Sequence, residues 1–134
     1  MEIQIATFED VEILAKHDRH IVRQELENII ALARVYIAWE KGQFAGWMRY
    51  GLFWDNTPFC NMLFLLEGQR GKGYGRQLME CWEKDMKAQG YSCIMTSTAS
   101  DESAQYFYAR LGYEVIGAFR PEGEQTELIL ARNI

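Results

Sequence analysis

Proline is almost missing from this 134-residue chain, at two residues, and cysteine and histidine are scarce, at three and two. So little proline rules out a stiff proline-rich linker. No segment is of low complexity and none repeats, so residues 1–134 read as one domain, large enough to bury a core without staples. Cys60, Cys81 and Cys93 are odd in number, far apart and never in a C-x-x-C pair, which excludes a disulfide framework and a cysteine zinc site. Cys60 and Cys93 lie in apolar stretches, where a free cysteine behaves as a small hydrophobe. No apolar run approaches membrane-spanning length, so no membrane association is expected. The opening Met1-Glu2-Ile3-Gln4-Ile5 is polar and alternating, unlike a signal peptide, and a cytoplasmic protein is expected. A basic surplus is also lacking. With a net charge of −5, broad nucleic-acid binding is not expected, whereas cationic partners such as amines suit an acidic surface.

What is present is the composition of an ordinary globular domain, 49% hydrophobic and 25% charged. Alternation predicts a first strand over residues 2–7. Apolar residues at helical spacing then predict helices over 8–21 and 22–33. Residues 35–40, 43–54 and 59–66 read as a three-stranded meander, with Lys41-Gly42 and Asp55-Asn56-Thr57-Pro58 as its turns. Tyr74, Leu78, Trp82 and Met86 recur every four residues and predict one buried helix face. Glu80–Lys84 and Glu83–Lys87 are expected as solvent-side pairs of that helix. Gly90 ends it. A strand follows over 91–97, then a helix capped by Ser100 or Asp101 that buries Ala104, Phe107, Tyr108 and Leu111. Strands over 113–119 and 127–132 close the chain. The order is β-α-α-β-β-β-α-β-α-β-β, a mixed sheet flanked by helices.

One stretch carries chemistry. Gln69-Arg70-Gly71-Lys72-Gly73-Tyr74-Gly75 joins an apolar strand to a helix, with glycines at alternate positions and Arg70, Lys72 and Arg76 around them. A glycine turn entering a helix N-terminus presents unpaired N–H groups and the positive end of the helix dipole. Glycine lets a ligand reach that backbone. The turn reads as a cradle for a pyrophosphate-like anion. It is not a P-loop: Gly68 and Gly73 have that separation, but Tyr74 and Gly75 follow where Lys and Ser/Thr are required. The dinucleotide pattern G-x-G-x-x-G fails as well, its third position falling on Arg76 or Leu78.

The remaining pattern, Arg70-Gly71-x-Gly73-x-Gly75, resembles the acyl-CoA pyrophosphate loop of the GNAT superfamily of N-acetyltransferases. About thirty residues on, Asp101-x-x-Ala104-x-x-Phe107-Tyr108-x-x-Leu111-Gly112-Tyr113 is similar to the family's second signature. The resemblance covers roughly residues 60–119, and the N-terminal half matches in element order. It implies a GNAT fold of the α/β (α+β) class with a mixed, mostly antiparallel sheet. It also implies acetyl-CoA as co-substrate, no metal, and direct attack of a primary amine on the thioester. In this family the fourth strand splays from the fifth and the pantetheine inserts between them; here that backbone is Leu65, Leu66 and Glu67, with Leu65 offering its amide to the thioester carbonyl. The cofactor-binding set implied is Leu65, Leu66, Glu67, Arg70, Gly71, Lys72, Gly73, Tyr74, Gly75, Arg76, Asp101 and Tyr108. Tyr108 matches the position that protonates the departing thiolate. Periodicity supports it over Tyr106, because Tyr108 shares a helix face with Ala104 and Leu111.

Two departures from the family pattern stand out. Asp101 replaces the usual asparagine and cannot donate as an amide does. The strand Phe59-Cys60-Asn61-Met62-Leu63 lacks the glutamate that often serves as base, which leaves water, Glu124 or Glu127. His17 and His20 read as features of a helix surface, lacking an Asp or Cys partner at ligand spacing. Trp39 and Trp47 read as sheet packing, and Phe53 and Trp54 as approaches to an acceptor pocket. The acceptor expected is a small-molecule amine; a peptide or protein amine and a non-catalytic acyl-CoA-binding module are the alternatives. A homodimer is common in such folds.

Overall fold

The computed structural model describes all of residues 1–134. Its strands are β1 (Glu2–Ile5), β2 (Val35–Glu40), β3 (Gln43–Phe53), β4 (Thr57–Leu65), β5 (Cys93–Ala99), β6 (Glu114–Phe119) and β7 (Glu127–Asn133). The helices are α1 (Val11–His17), α2 (Arg23–Ala31), α3 (Tyr74–Ala88) and α4 (Ala104–Arg110). The strands form one seven-stranded sheet in the order β1-β2-β3-β4-β5-β7-β6. Neighbours β1–β2, β2–β3, β5–β7 and β6–β7 run antiparallel, and β4–β5 is parallel. The predicted element order and the mixed sheet are thus observed. No helix is long and apolar enough to cross a membrane.

The chain forms two compact units, Met1–Gly51 with Met62–Cys81, and Leu52–Asn61 with Trp82–Ile134. In the first, Val11, Leu14, Leu26 and Ile30 of the first two helices pack with Val35, Ile37 and Trp47. Trp47 is therefore core, as expected, and Trp39 lies half-buried against it. A capping box at Thr7 starts a short 3₁₀ turn, and α1 stops at His17, earlier than the predicted residue 21, because Asp18 turns inward. In the second unit β5 pairs with β7 along its whole length, from Cys93↔Asn133 to Ala99↔Glu127. The parallel pairing of β4 with β5 is Phe59↔Met95 and Cys60↔Thr96.

Two helix-face expectations fail. Glu83 does not face solvent with Lys87: it is buried, accepts from Tyr113 Oη at 2.7 Å, and pairs with Arg132 at 2.9 Å. A carboxylate inside the fold needs such partners, and here they come from distant strands. On the exposed side Glu80 pairs with Arg76 at 3.3 Å. Tyr74 is only half-buried, since its hydroxyl reaches out to Glu40. Neither Ser100 nor Asp101 caps α4: the helix starts at Ala104 with Ser103 as N-cap, because Glu102 N–H closes a turn onto the Ala99 carbonyl first.

Candidate active site

The glycine turn lies between β4 and α3 in the first unit. Gly68, Gly71 and Gly73 have φ of +89°, +75° and +82°, a region costly for side-chain-bearing residues, and a Cβ on any of them would meet open space. The turn thus follows a path that favours glycine and presents an unobstructed backbone. Gln77 N–H donates to the Gly73 carbonyl at 3.1 Å, the first bond of α3. The N–H groups of Tyr74, Gly75 and Arg76 therefore precede the helical ladder, with the positive dipole end behind them. A helix N-terminus left open by glycine in this way suits a negatively charged group.

The cations around the turn are held rather than free. Arg70 Nε donates to the Leu65 carbonyl at 3.0 Å, and its guanidinium lies 5.1 Å from the Phe64 ring centroid. Lys72 Nζ lies 5.9 Å from the Tyr74 ring centroid. Tyr74 Oη donates to Glu40, which ties the turn to the β2–β3 hairpin. That bond lowers the Glu40 pKa and raises that of Tyr74. Glu40, Lys41, Gln43, Gln69, Lys72 and Tyr74 together line a cleft of ≈ 320 Å³. Sequence reasoning placed Tyr74 on the turn but missed Glu40, which lies 34 positions away.

On the α1 side, His17 is not a surface histidine. Half-buried, it donates from Nδ1 to the Ile13 carbonyl at 2.9 Å and lies 4.8 Å from the Phe44 ring. Phe44 stacks on Trp47, and Trp47 lies 5.0 Å from Phe64 of β4. Beside them is a network the sequence reading did not find. Asp18, 3% exposed, accepts from Trp47 Nε1 at 2.9 Å and from Arg49 Nε at 2.6 Å. The available signal was Arg49 inside the apolar run 44–53, which cannot be buried there without a carboxylate. His20 is exposed.

In the second unit Tyr108 is buried, with 6% of its surface exposed, while Tyr106 is 61% exposed. The helix-face argument thus selected the inward tyrosine. Burial pushes the Tyr108 phenol above its usual range, helped by Cys60, Glu102 and Glu127 and opposed by a Thr96 hydrogen bond. The group therefore holds its proton. Asp101 is exposed. Glu127 accepts from Ser97 Oγ at 2.8 Å, and Glu124 is exposed in the β6–β7 turn. Phe53 and Trp54 stack at 5.5 Å, and Trp54 is 81% exposed.

A mixed sheet with an open glycine turn leading from its fourth strand into a helix is the arrangement that the sequence resemblance implies. The chain belongs to the GNAT acetyltransferases: the family profile described as Acetyltransferase (GNAT) domain matches residues 31–115, more than half its length. Solved structures agree in fold. A GNAT-family acetyltransferase from Bacillus cereus ATCC 10987 is 20% identical with a TM-score of 0.80, covering 98% of this chain and 96% of its own. The PaiA N-acetyltransferase of Thermoplasma acidophilum, solved with coenzyme A, is 17% identical with a TM-score of 0.79, covering 99% and 98%. The ribosomal-protein-S18-alanine N-acetyltransferase of Escherichia coli is 14% identical with a TM-score of 0.84, covering 99% and 93%. No curated protein matches the chain by sequence.

Proposed function

We propose that residues 1–134 act as a single acetyl-CoA-dependent N-acetyltransferase domain that acetylates a primary amine of a small molecule. The observation that carries this reading is the open, positive-φ glycine turn at the head of α3, in a chain of this family. Leu65, Leu66, Glu67, Arg70 to Arg76, Asp101 and Tyr108 are the binding set. The donor supplies an acetyl thioester. The amine nitrogen forms a bond to its carbonyl carbon, the carbon–sulfur bond breaks, and the amine proton passes to water or a nearby base. Leu65 N–H donates to the oxygen that becomes negative, a fixed dipole that needs no reorganisation. Tyr108 gives its proton to the departing sulfur. Burial keeps this phenol protonated but also makes it a weaker acid, so the role is carried by the match of Tyr108 to the family's second signature and not by its pKa.

The acidic net charge favours a cationic acceptor, and the half-buried His17 and Phe44 with the exposed Phe64, backed by the core Trp47, offer an aromatic wall for one. The Escherichia coli neighbour, a ribosomal-protein alanine acetyltransferase, favours a second reading, the N-terminal amine of a protein. Three free cysteines suit a cytoplasmic setting, and a homodimer is part of the proposal. Incubation with acetyl-CoA and a panel of small amines and N-terminal peptides, following free thiol, tests the activity and the acceptor, and sedimentation in solution tests the dimer. Amine-dependent thiol release with small amines supports the reading. Release only with peptides selects the second, and coenzyme A binding without release with any amine leaves a binding module.

A further inference from the structure

Gly46, near the start of β3, is buried, and its φ lies outside the left-handed region, so conformational freedom does not explain a glycine there. Space does. A Cβ at this position would lie 2.3 Å from the Phe64 carbonyl oxygen, 2.8 Å from Leu65 Cδ2 and 3.1 Å from Leu65 Cα. The first and third of these are backbone atoms, which cannot swing aside as a side-chain tip can. Of the glycines whose surroundings are described, this one alone would set a Cβ closer than 3.0 Å to its neighbours.

The strand is irregular at the same place. The register of β2 with β3 runs Ala38↔Gly46 and then Trp39↔Phe44, so Ala45 is an extra residue, a β-bulge. The Ala45 carbonyl accepts the Leu66 N–H at 2.9 Å. β3 thus approaches β4 closely just where the sequence resemblance places the thioester-binding backbone.

The consequence follows from the peptide group. No cis peptide is present, and in a trans peptide the C=O of one residue and the N–H of the next point in opposite directions. With the Phe64 carbonyl seated against Gly46, the Leu65 N–H must point away from β3. The next carbonyl, that of Leu65, is taken by Arg70 Nε from the glycine turn. We infer that Gly46 is a positioning residue: the absence of its side chain lets the Phe64 carbonyl close on β3 and so aims the Leu65 amide outward, at the thioester oxygen. This rests on the acetyltransferase reading given above.

A methyl group at position 46 would force the Phe64–Leu65 peptide to retreat or rotate. An oxyanion donor acts only at hydrogen-bond distance, and a misplacement of about 1 Å costs on the order of a hundred-fold in rate. The glycine turn of residues 71–75 is not touched by that change.

The test is Gly46→Ala, compared with the wild type for binding of coenzyme A and acetyl-CoA, for kcat and KM, and for thermal unfolding. The expected result is a kcat lower by roughly a hundred-fold, with coenzyme A affinity within about three-fold of wild type. Any preference for acetyl-CoA over coenzyme A should vanish. A lower melting temperature with kcat per folded molecule intact overturns the inference, as does an equal loss of affinity for both ligands. Should the variant fail to fold, amide exchange in the wild type decides. Leu65 N–H should exchange faster than Leu66 N–H in the free protein and be protected by acetyl-CoA but not by coenzyme A. A Leu65 amide already protected in the free protein, or protected equally by both ligands, refutes the placement. Failure of the wild type to bind coenzyme A would reject the acetyltransferase reading; normal binding and turnover with an unaffected Gly46→Ala variant rejects only the role of Gly46.

Discussion

Burial at Tyr108 and burial at Asp18 have opposite consequences. The phenol is neutral, so burial keeps its proton on and makes it a weaker acid than a free phenol. Tyr108→Phe keeps the ring and removes the proton; kcat should fall roughly ten- to a thousand-fold while coenzyme A affinity holds, measured at saturating substrates. A phenol held above its usual value also predicts no alkaline loss of kcat from this group below about pH 10. Asp18 carries a charge inward and is stable there only because Arg49 and Trp47 meet it. Asp18→Ala leaves Arg49 buried without its carboxylate, a loss of about 3–5 kcal/mol. Adding Arg49→Met should recover much of that loss, and denaturant titration of the two single variants and the double variant reads the coupling.

At the scale of the element, the β4–α3 turn combines an unusual backbone with an anchor. Alanine at Gly73 must either hold φ near +82° against strain or redirect the amides beyond it. Gly73→Ala should therefore reduce the rise in melting temperature that coenzyme A gives by mass action; a full rise in the variant would refute the cradle. The anchor is the Tyr74–Glu40 hydrogen bond. Tyr74→Phe releases the turn from the β2–β3 hairpin and should raise KM for acetyl-CoA several-fold at nearly constant kcat, read by steady-state kinetics. Because Arg70, Lys72 and Arg76 surround an exposed turn, coenzyme A affinity should also decline as salt rises.

For the whole molecule, alkali is the informative perturbation. Tyr108 and Tyr113 both have pKa values raised by burial, and Tyr113 further by its bond to Glu83. The unfolded chain releases these protons near the ordinary phenol value of about 10, while the folded chain retains them. The stability they contribute is thus complete below about pH 10 and is lost as pH rises above it. Melting temperature should drop between about pH 9.5 and 11 more steeply in the wild type than in Tyr113→Phe. Equal slopes would mean that the Tyr113 phenol is not held protonated.

Legibility in the sequence followed distance along the chain. Element order, the glycine turn and the choice of Tyr108 over Tyr106 could all be read, because each depends on periodicity or on neighbours a few positions apart. Helix ends moved where a distant partner intervened, as at Asp18. The linked pairs Asp18 with Trp47 and Arg49, Glu40 with Tyr74, and Glu83 with Tyr113 and Arg132 are separated by 29 to 49 positions. No local pattern names the partners: Arg49 in an apolar run signals a buried charge, but nothing near it points to Asp18. Gly46 is the sharpest case. In sequence it is a glycine in an apolar run, which lowers strand propensity and suggests nothing more. Only the approach of the Phe64 carbonyl gives the missing side chain a purpose. The sequence by itself determined the family, the order of elements and the position of the glycine turn, because these depend on local motifs and local backbone preference. Tertiary structure decided which charges are buried, what anchors the turn and which way the Leu65 amide points, because those depend on atoms that meet only once the sheet has formed.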